Sequence, residues 1–140
     1  MKILFDINVV LDVLLNREAF VEESARLMGM VEHGVIEGYL CATTLTTLDY
    51  LMAKATDKAG AKVGVRRLLT LFRIAEVNAT VLEMAMDSGF DDFEDAVQYH
   101  AGIICGIDGL VTRNPRDYRS AGLSVYLPGE LLAVVALDGK

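Results

Sequence analysis

Short apolar runs alternate with longer amphipathic segments along the whole chain. Five runs are too short for helices and have the composition of buried parallel strands; they lie at residues 2–5, 36–41, 73–77, 108–112 and 124–127. The segments between them show helical spacing of apolar positions or helix start and stop signals; they run from Asn8 to Leu15 and over about 19–33, 43–58, 60–72, 79–87, 92–105 and 128–136. Strands alternating with helices predict a three-layer α/β/α sandwich around a parallel sheet. The pattern alone leaves the strand order open.

Length and composition limit the number of domains and the kinds of partner that the chain can have. With 140 residues and no linker-like stretch or repeat, the chain is predicted to form a single domain over residues 1–140. No segment reaches the roughly 18–20 apolar residues of a membrane span, so we expect no membrane partner. The two distant cysteines are typical of reduced core thiols in a cytoplasmic protein. The net charge of −7 argues against broad nucleic-acid binding through a basic surface, but not against a local basic patch.

Polar side chains follow two of the predicted strands. Asp6 comes directly after the first strand, and Thr112, Asn114 and Asp117 lie at the carboxyl end of the fourth. Open α/β sheets bind their ligands at this edge. The structural alternatives are a helix N-cap for Asp6, for which Asn8 is equally suited, and a simple turn at Asn114.

Helix 43–58 carries an acid near its apolar positions. Asp49 follows Leu45 by four residues and precedes Met52 by three, so it is predicted to point with them toward the core. A lone carboxylate on a buried face is costly unless it is paired or binds a metal. A salt bridge to a lysine or arginine is the alternative. Thr43 or Thr44 is predicted to cap this helix.

Two further helices carry acids. Asp92 and Asp95 lie three residues apart in an acidic helix start and share a face. The helix dipole alone favours acids there, but Asp95 lies deeper in the helix and is the better ligand candidate. Asp12, one turn beyond Asn8, is interpreted as a solvated helix residue.

Carboxylates gathered from distant segments repel one another unless a cation lies between them. An oxygen-rich site of this kind suits Mg²⁺ or Mn²⁺. We therefore predict a metal-dependent enzyme in which Asp6, Asp49 and Asp95 hold the ion, with Asp92 and Asp117 as further candidates.

Four stretches in this order, spanning nearly the whole chain, resemble the PIN domain, and in particular the VapC-like ribonuclease toxins of bacterial toxin–antitoxin pairs. They read ILFDINVVLDVLLNR, TTLTTLDYLMAKA, DFEDAVQYHAG and GLVTRNPRDYRSAGLSVYLPGELL. The resemblance implies a parallel five-stranded sheet with helices on both sides. It also implies RNA cleavage that depends on Mg²⁺ or Mn²⁺, a cognate antitoxin and a homodimer.

The resemblance assigns roles position by position. Asp6 matches the first acid of the family, Asn8 the asparagine after it, Asp95 the third acid and Thr112 the threonine after the fourth strand. The second acid is usually a glutamate, and Asp49 stands in that place.

The position of a fourth aspartate in many members is Asn114 here, which lowers the charge of the site. In the implied mechanism Asn8, Thr112 and Asn114 orient ligands or the scissile phosphate. Arg113 and Arg116 flank the site and are predicted to contact the RNA backbone.

Two other functions stay open at this point. A catalytically weak PIN domain that only binds RNA or protein is one, because Asn114 and the acidic charge weaken the case for a nuclease. A haloacid-dehalogenase-like phosphatase is the other, because Asp6-Ile7-Asn8 loosely resembles the DxD nucleophile loop of that family. The lysine motif and late acidic pair of those phosphatases are not evident.

Overall fold

The computed structural model describes residues 1–118 and 121–138, so residues 119–120 and 139–140 of the predicted domain lie outside the described part. Five strands alternate with the helices: β1 (Lys2–Phe5), β2 (Glu37–Cys41), β3 (Arg73–Ala75), β4 (Gly109–Val111) and β5 (Ser124–Tyr126). The helices are α1 (Ile7–Leu14), α2 (Val21–Glu32), α3 (Ala42–Ala55), α4 (Lys58–Leu71), α5 (Ala79–Met86), α6 (Phe93–Cys105) and α7 (Pro128–Asp138), with a 3₁₀ turn at Pro115–Tyr118. Every strand and helix expected from the sequence pattern is present.

The sheet is parallel throughout and has the strand order β3-β2-β1-β4-β5. Leu4 at the centre of β1 pairs with Tyr39 of β2 on one side and with Leu110 of β4 on the other. The chain therefore leaves β1 in one direction and later returns to its opposite side. The crevice between the carboxyl ends of β1 and β4 is the switch point at which open α/β sheets bind ligands.

Alternate residues of the central strand enter two separate apolar layers. Ile3 and Phe5 pack with buried side chains of α1, α2, α3, α4 and α7, whereas Leu4 packs with those of α5 and α6. This period-two division is what a strand covered on both faces requires. The prediction of a three-layer α/β/α sandwich with a five-stranded parallel sheet is confirmed.

Helix α3 begins earlier than the sequence suggested. Its N-cap is Cys41, which makes no capping side-chain hydrogen bond, and Thr44 lies buried inside the first turn. The prediction that Thr43 or Thr44 caps the helix is therefore wrong. This shift matters for the site, because Thr44 faces inward from the end of β2.

Both cysteines are free thiols; Cys41 is buried and Cys105 is partly buried. Among the described residues, no helix is long and apolar enough to cross a membrane.

Candidate active site

Asp6 lies at the carboxyl end of the central strand and starts helix α1. Its Oδ1 accepts hydrogen bonds from the backbone N–H of Ile7 at 2.8 Å and from Nε2 of Gln98 at 3.3 Å. Its Oδ2 accepts from the Thr112 hydroxyl at 2.7 Å. Asp6 therefore caps helix α1, as the purely structural interpretation expected. The same side chain also lies at the switch point and belongs to the candidate site. Its orientation is fixed from three directions.

Thr112 links the ends of β1 and β4. Its hydroxyl is buried, donates to Asp6 and accepts the backbone N–H of Asn114 at 3.0 Å. Because Phe5 and Val111 are paired in the sheet, the residues that follow them meet at the same edge. This contact brings two of the predicted site residues, Asp6 and Thr112, together.

Gln98 of helix α6 connects the acids of the site. Its Oε1 accepts from the Thr44 hydroxyl at 3.1 Å, and its Nε2 donates to Asp6 and to the Tyr118 hydroxyl. The Tyr118 hydroxyl in turn donates to Oδ1 of Asp95 at 3.3 Å. A buried amide whose donors and acceptor are all used holds its partners in one arrangement. Gln98 therefore sets the position of Asp6 relative to Asp95.

The carboxyl group of Asp95 has a pKa raised from 3.8 to about 7. Burial is the largest cause, followed by the negative charges of Asp92, Asp6 and Asp117, while the hydrogen bond from Tyr118 lowers the pKa. Negative charges from three segments of the chain therefore disfavour ionisation of the Asp95 carboxyl group. Such a concentration of negative charge favours a bound cation or proton.

Tyr118 keeps its proton in this setting. Burial raises the pKa of its phenol, and the nearby carboxylates of Asp6 and Asp95 raise it further, although the hydrogen bond from Gln98 lowers it. The hydroxyl is therefore a permanent donor toward Asp95.

Asp49 does not join these residues. It is exposed on α3 and lines a pocket toward α4 with Lys58 and Lys62. At 3.6 residues per turn, Asp49 lies about 140° around the helix axis from Thr44, the α3 residue that contacts Gln98. The prediction that Asp49 points into the core is wrong. Its role as a metal ligand stays a prediction that this position does not support.

Asp12 also differs from expectation. It is fully buried, and its Oδ2 lies 2.8 Å from Nε of Arg113, while its Oδ1 lies 3.5 Å from a guanidinium nitrogen of Arg17. These contacts are ion pairs without aligned hydrogen bonds. The interpretation of Asp12 as a solvated residue is wrong, because two cations compensate its burial. The same contact occupies Arg113, whose guanidinium carbon also lies 4.0 Å from the ring centre of Phe20.

The remaining candidates lie around the edge of the site. Asn8 is partly buried in the first turn of α1, and Asn114 is exposed just after β4. Arg116 and Asp117 are exposed in the 3₁₀ turn and line a shallow pocket with Asn114. Asp92 is the N-cap of α6 and accepts the backbone N–H of Asp95 at 3.0 Å. Arg116 is thus the freer of the two arginines predicted to contact RNA.

The donor set fits a hydrated divalent ion held by two carboxylates. A carboxylate offers about four lone-pair positions, and the described contacts of Asp6 use three of them. Asp95 contributes the second carboxylate. Mg²⁺ commonly binds through one or two carboxylates and keeps several waters. Within residues 1–118 and 121–138, no three acids, histidines or cysteines are arranged as a closed metal site.

Sequence reasoning missed Gln98, Tyr118 and Thr44. A signal for Gln98 was present, because it is the one polar residue within Ala96-Val97-Gln98-Tyr99 and lies three positions after Asp95, on the same helix face. Tyr118 and Thr44 carried no comparable signal, since an aromatic residue in a turn and a threonine near a helix start are ordinary.

A known protein family matches most of this chain. Residues 2–116 match a family model described as the PIN domain. No curated protein sequence matches the chain significantly.

Solved structures with the same fold are distant in sequence. VapBC2 from Rickettsia felis, solved bound to a DNA fragment from its promoter, is 14% identical, with a TM-score of 0.69 over 91% of this chain and 98% of that chain. FitAcB from Neisseria gonorrhoeae is 22% identical, with a TM-score of 0.66 over 91% and 98%.

VapC20 from Mycobacterium tuberculosis, described as a toxin that cleaves the sarcin–ricin loop, is 19% identical, with a TM-score of 0.62 over 77% and 86%. At these identities the likeness concerns the fold. The family match extends from β1 to the 3₁₀ turn and includes Asp6, Gln98, Asp95 and Thr112. This chain belongs to the PIN domain family.

Proposed function

We propose that this chain is a metal-dependent endoribonuclease that acts as the toxin of a toxin–antitoxin pair. The observation that carries the proposal is the convergence of Asp6 and Asp95 at the switch point, where burial and the surrounding acids raise the pKa of Asp95 to about 7. VapC20, which shares the fold, is a toxin that cleaves an RNA loop. The match to the PIN domain argues against the phosphatase alternative.

The residues of the site have separate tasks in this proposal. Asp6 and Asp95 hold Mg²⁺ or Mn²⁺, directly or through water, while Asp92 and Asp117 add negative charge. The bound ion would supply Lewis acidity at a phosphate oxygen and lower the pKa of a nearby water.

The supporting hydrogen bonds fix the two acids. Thr112 and Gln98 orient the Asp6 carboxylate, and Tyr118 donates to Asp95. Removing such supporting donors from metal ligands typically costs 10- to 100-fold in affinity or activity. Arg116, exposed beside the site, is suited to contact the RNA backbone.

A cognate antitoxin and a homodimer belong to the same proposal, because the resemblance to VapC-like toxins implies both. Location in the cytoplasm follows from that role.

RNA cleavage tests the proposal. We expect the wild-type protein to cut 5′-labelled random-sequence RNA with Mg²⁺ or Mn²⁺ and to lose activity in EDTA. The variants Asp6→Asn and Asp95→Asn, purified in parallel, should each lose about 100-fold or more, since each removes a charged ligand. Cleavage by Asp6→Asn at the wild-type rate would indicate a contaminating nuclease or a wrong site.

A catalytically weak PIN domain that binds RNA is the second candidate. The exposed position of Asp49 and the absence of a three-acid cluster among the described residues favour it. Binding of RNA by the wild type with no metal-dependent cleavage under any of these conditions would select this function.

A further inference from the structure

An open cleft adjoins the site on the side of α2 and α7. Phe20, Arg113, Leu127 and Pro128 are among the residues that line it, and its volume is about 550 Å³. We infer that this cleft holds an unpaired RNA base next to the cleaved phosphate, stacked on the ring of Phe20. The inference rests on the proposed function and assigns to it a substrate feature, a single-stranded nucleotide bound through its base.

Phe20 is an exposed aromatic ring held in place from behind. Phe20 lies just before helix α2, and the residue is 43% exposed. The guanidinium carbon of Arg113 lies 4.0 Å from its centre, and Arg113 is anchored by the buried Asp12. A rigid ring with a free surface is the platform on which single-stranded nucleic acids stack their bases. Stacking on a fixed ring loses little conformational entropy.

The charges of the cleft favour a base over a phosphate. Two carboxylates, Glu23 and Glu130, line it beside one cation, Arg113, which is paired with Asp12. An anionic phosphate would be repelled here, whereas the exocyclic amino group of a base can donate to a carboxylate. The exposed side chain of Leu127 adds apolar surface suited to a flat, neutral group.

The cleft adjoins the pocket of the 3₁₀ turn. Arg113 and Asn114 line it and also line the neighbouring pocket of the 3₁₀ turn, which includes Asp117. Asn114 is two residues beyond Thr112, so the backbone distance is at most roughly 7 Å. A base in the cleft would therefore leave its phosphate near Asn114 and the turn that carries Asp117.

A tryptophan substitution makes this testable by binding alone. The chain has no tryptophan, so Phe20→Trp introduces a single indole that preserves a ring over Arg113. Tyr50→Trp, at an exposed position of α3, is the matched control. In EDTA, where cleavage is blocked, we expect a four-nucleotide RNA to quench the fluorescence of Phe20→Trp and not that of Tyr50→Trp.

An abasic ribose-phosphate oligomer of equal length separates base from backbone. It should leave the fluorescence of Phe20→Trp unchanged. Equal quenching by RNA and by the abasic oligomer, equal quenching in both variants, or none in either would overturn the inference. Binding of a basic peptide with no binding of RNA would also overturn it and make the cleft a protein interface.

Kinetics then separate this inference from the proposed function. If the wild type cuts RNA, Phe20→Leu should raise KM about 5- to 150-fold with kcat nearly unchanged, and Phe20→Tyr should restore KM, since loss of one stacked base is worth that factor. Thermal melts verify that both variants are folded. An unchanged KM in Phe20→Leu would refute the stacking role while cleavage itself stands. A wild type that cuts no RNA would refute the proposed function. The fluorescence experiment would still show whether a base stacks on residue 20, because it measures binding without cleavage.

Discussion

At the scale of single residues, Asp95 makes stability depend on pH. Its pKa is raised to about 7 in the folded protein from 3.8, so between about pH 4 and pH 7 the folded state keeps a proton that the unfolded state has lost. The free energy of unfolding must therefore fall as pH rises through this window and level off above it. Below pH 4 both states are protonated and the effect vanishes.

Asp95→Asn isolates this contribution, because asparagine does not titrate. In EDTA, the stability of the variant relative to wild type should increase from pH 4.5 to pH 7.5, as measured by urea unfolding at several pH values. With Mg²⁺ the difference should shrink, because a cation favours the ionised carboxylate. Parallel pH profiles for the two proteins in EDTA would show that Asp95 titrates normally.

The sequence indicated where three of the candidate site residues lie and misplaced a fourth. Asp6, Thr112 and Asp95 follow buried strands or begin a helix, so their placement depends on local pattern alone. Asp49 depends on where the buried face of α3 is centred. The buried face of α3 contains Thr44, Leu48 and Met52. Because Thr44 was interpreted as a helix cap, the predicted buried face was centred too close to Asp49.

At the scale of elements, helix α6 comes close to the side chains of β1 at Gly102. A Cβ at Gly102 would lie 2.6 Å from Cδ1 of Ile107 and 3.0 Å from Cδ2 of Leu4. Any larger residue here would require the side chains of Ile107 and Leu4 to shift. Gln98 and Asp95 on the same helix depend on that approach to reach Asp6 and Tyr118.

Gly102→Ala should therefore destabilise the fold by about 1–3 kcal/mol through overpacking. Gly29→Ala in the interior of α2 is the matched control, because nothing lies within 4 Å of the added methyl group. That substitution should raise stability by roughly 0.5–1 kcal/mol, since alanine is the better helix former. Urea unfolding midpoints compare the two, and equal midpoints would contradict tight packing at Gly102.

The sequence predicted elements better than their contacts. Short apolar runs identified every strand, because strands buried on both faces contain few polar residues. The same property left the strand order unpredicted, because five similar apolar runs do not indicate which strands pair with one another. The position of α6 over β1 likewise depends on packing between residues about 100 positions apart.

At the scale of the whole molecule, the site exists only in the folded chain. Asp6 follows β1, Asp95 lies in the first turn of α6 and Asp117 lies in the turn after β4, so unfolding separates them. An ion that binds these acids in the folded state alone adds about 2.7 kcal/mol of stability at 100 times its dissociation constant. For a chain of this size that corresponds to a rise in Tm of roughly 10 °C.

Thermal melts in millimolar Mg²⁺ or Mn²⁺ and in EDTA, at matched ionic strength, should show this rise for the wild type. Asp6→Asn should abolish it, because the ion loses one of two carboxylates. Asp49→Asn should keep it, because Asp49 is exposed toward α4 and not toward Gln98. Equal midpoints for the wild type in metal and in EDTA would remove the metal from the mechanism. Loss of the rise in Asp49→Asn would instead make Asp49 a ligand and require α3 to turn toward the sheet edge when the ion binds.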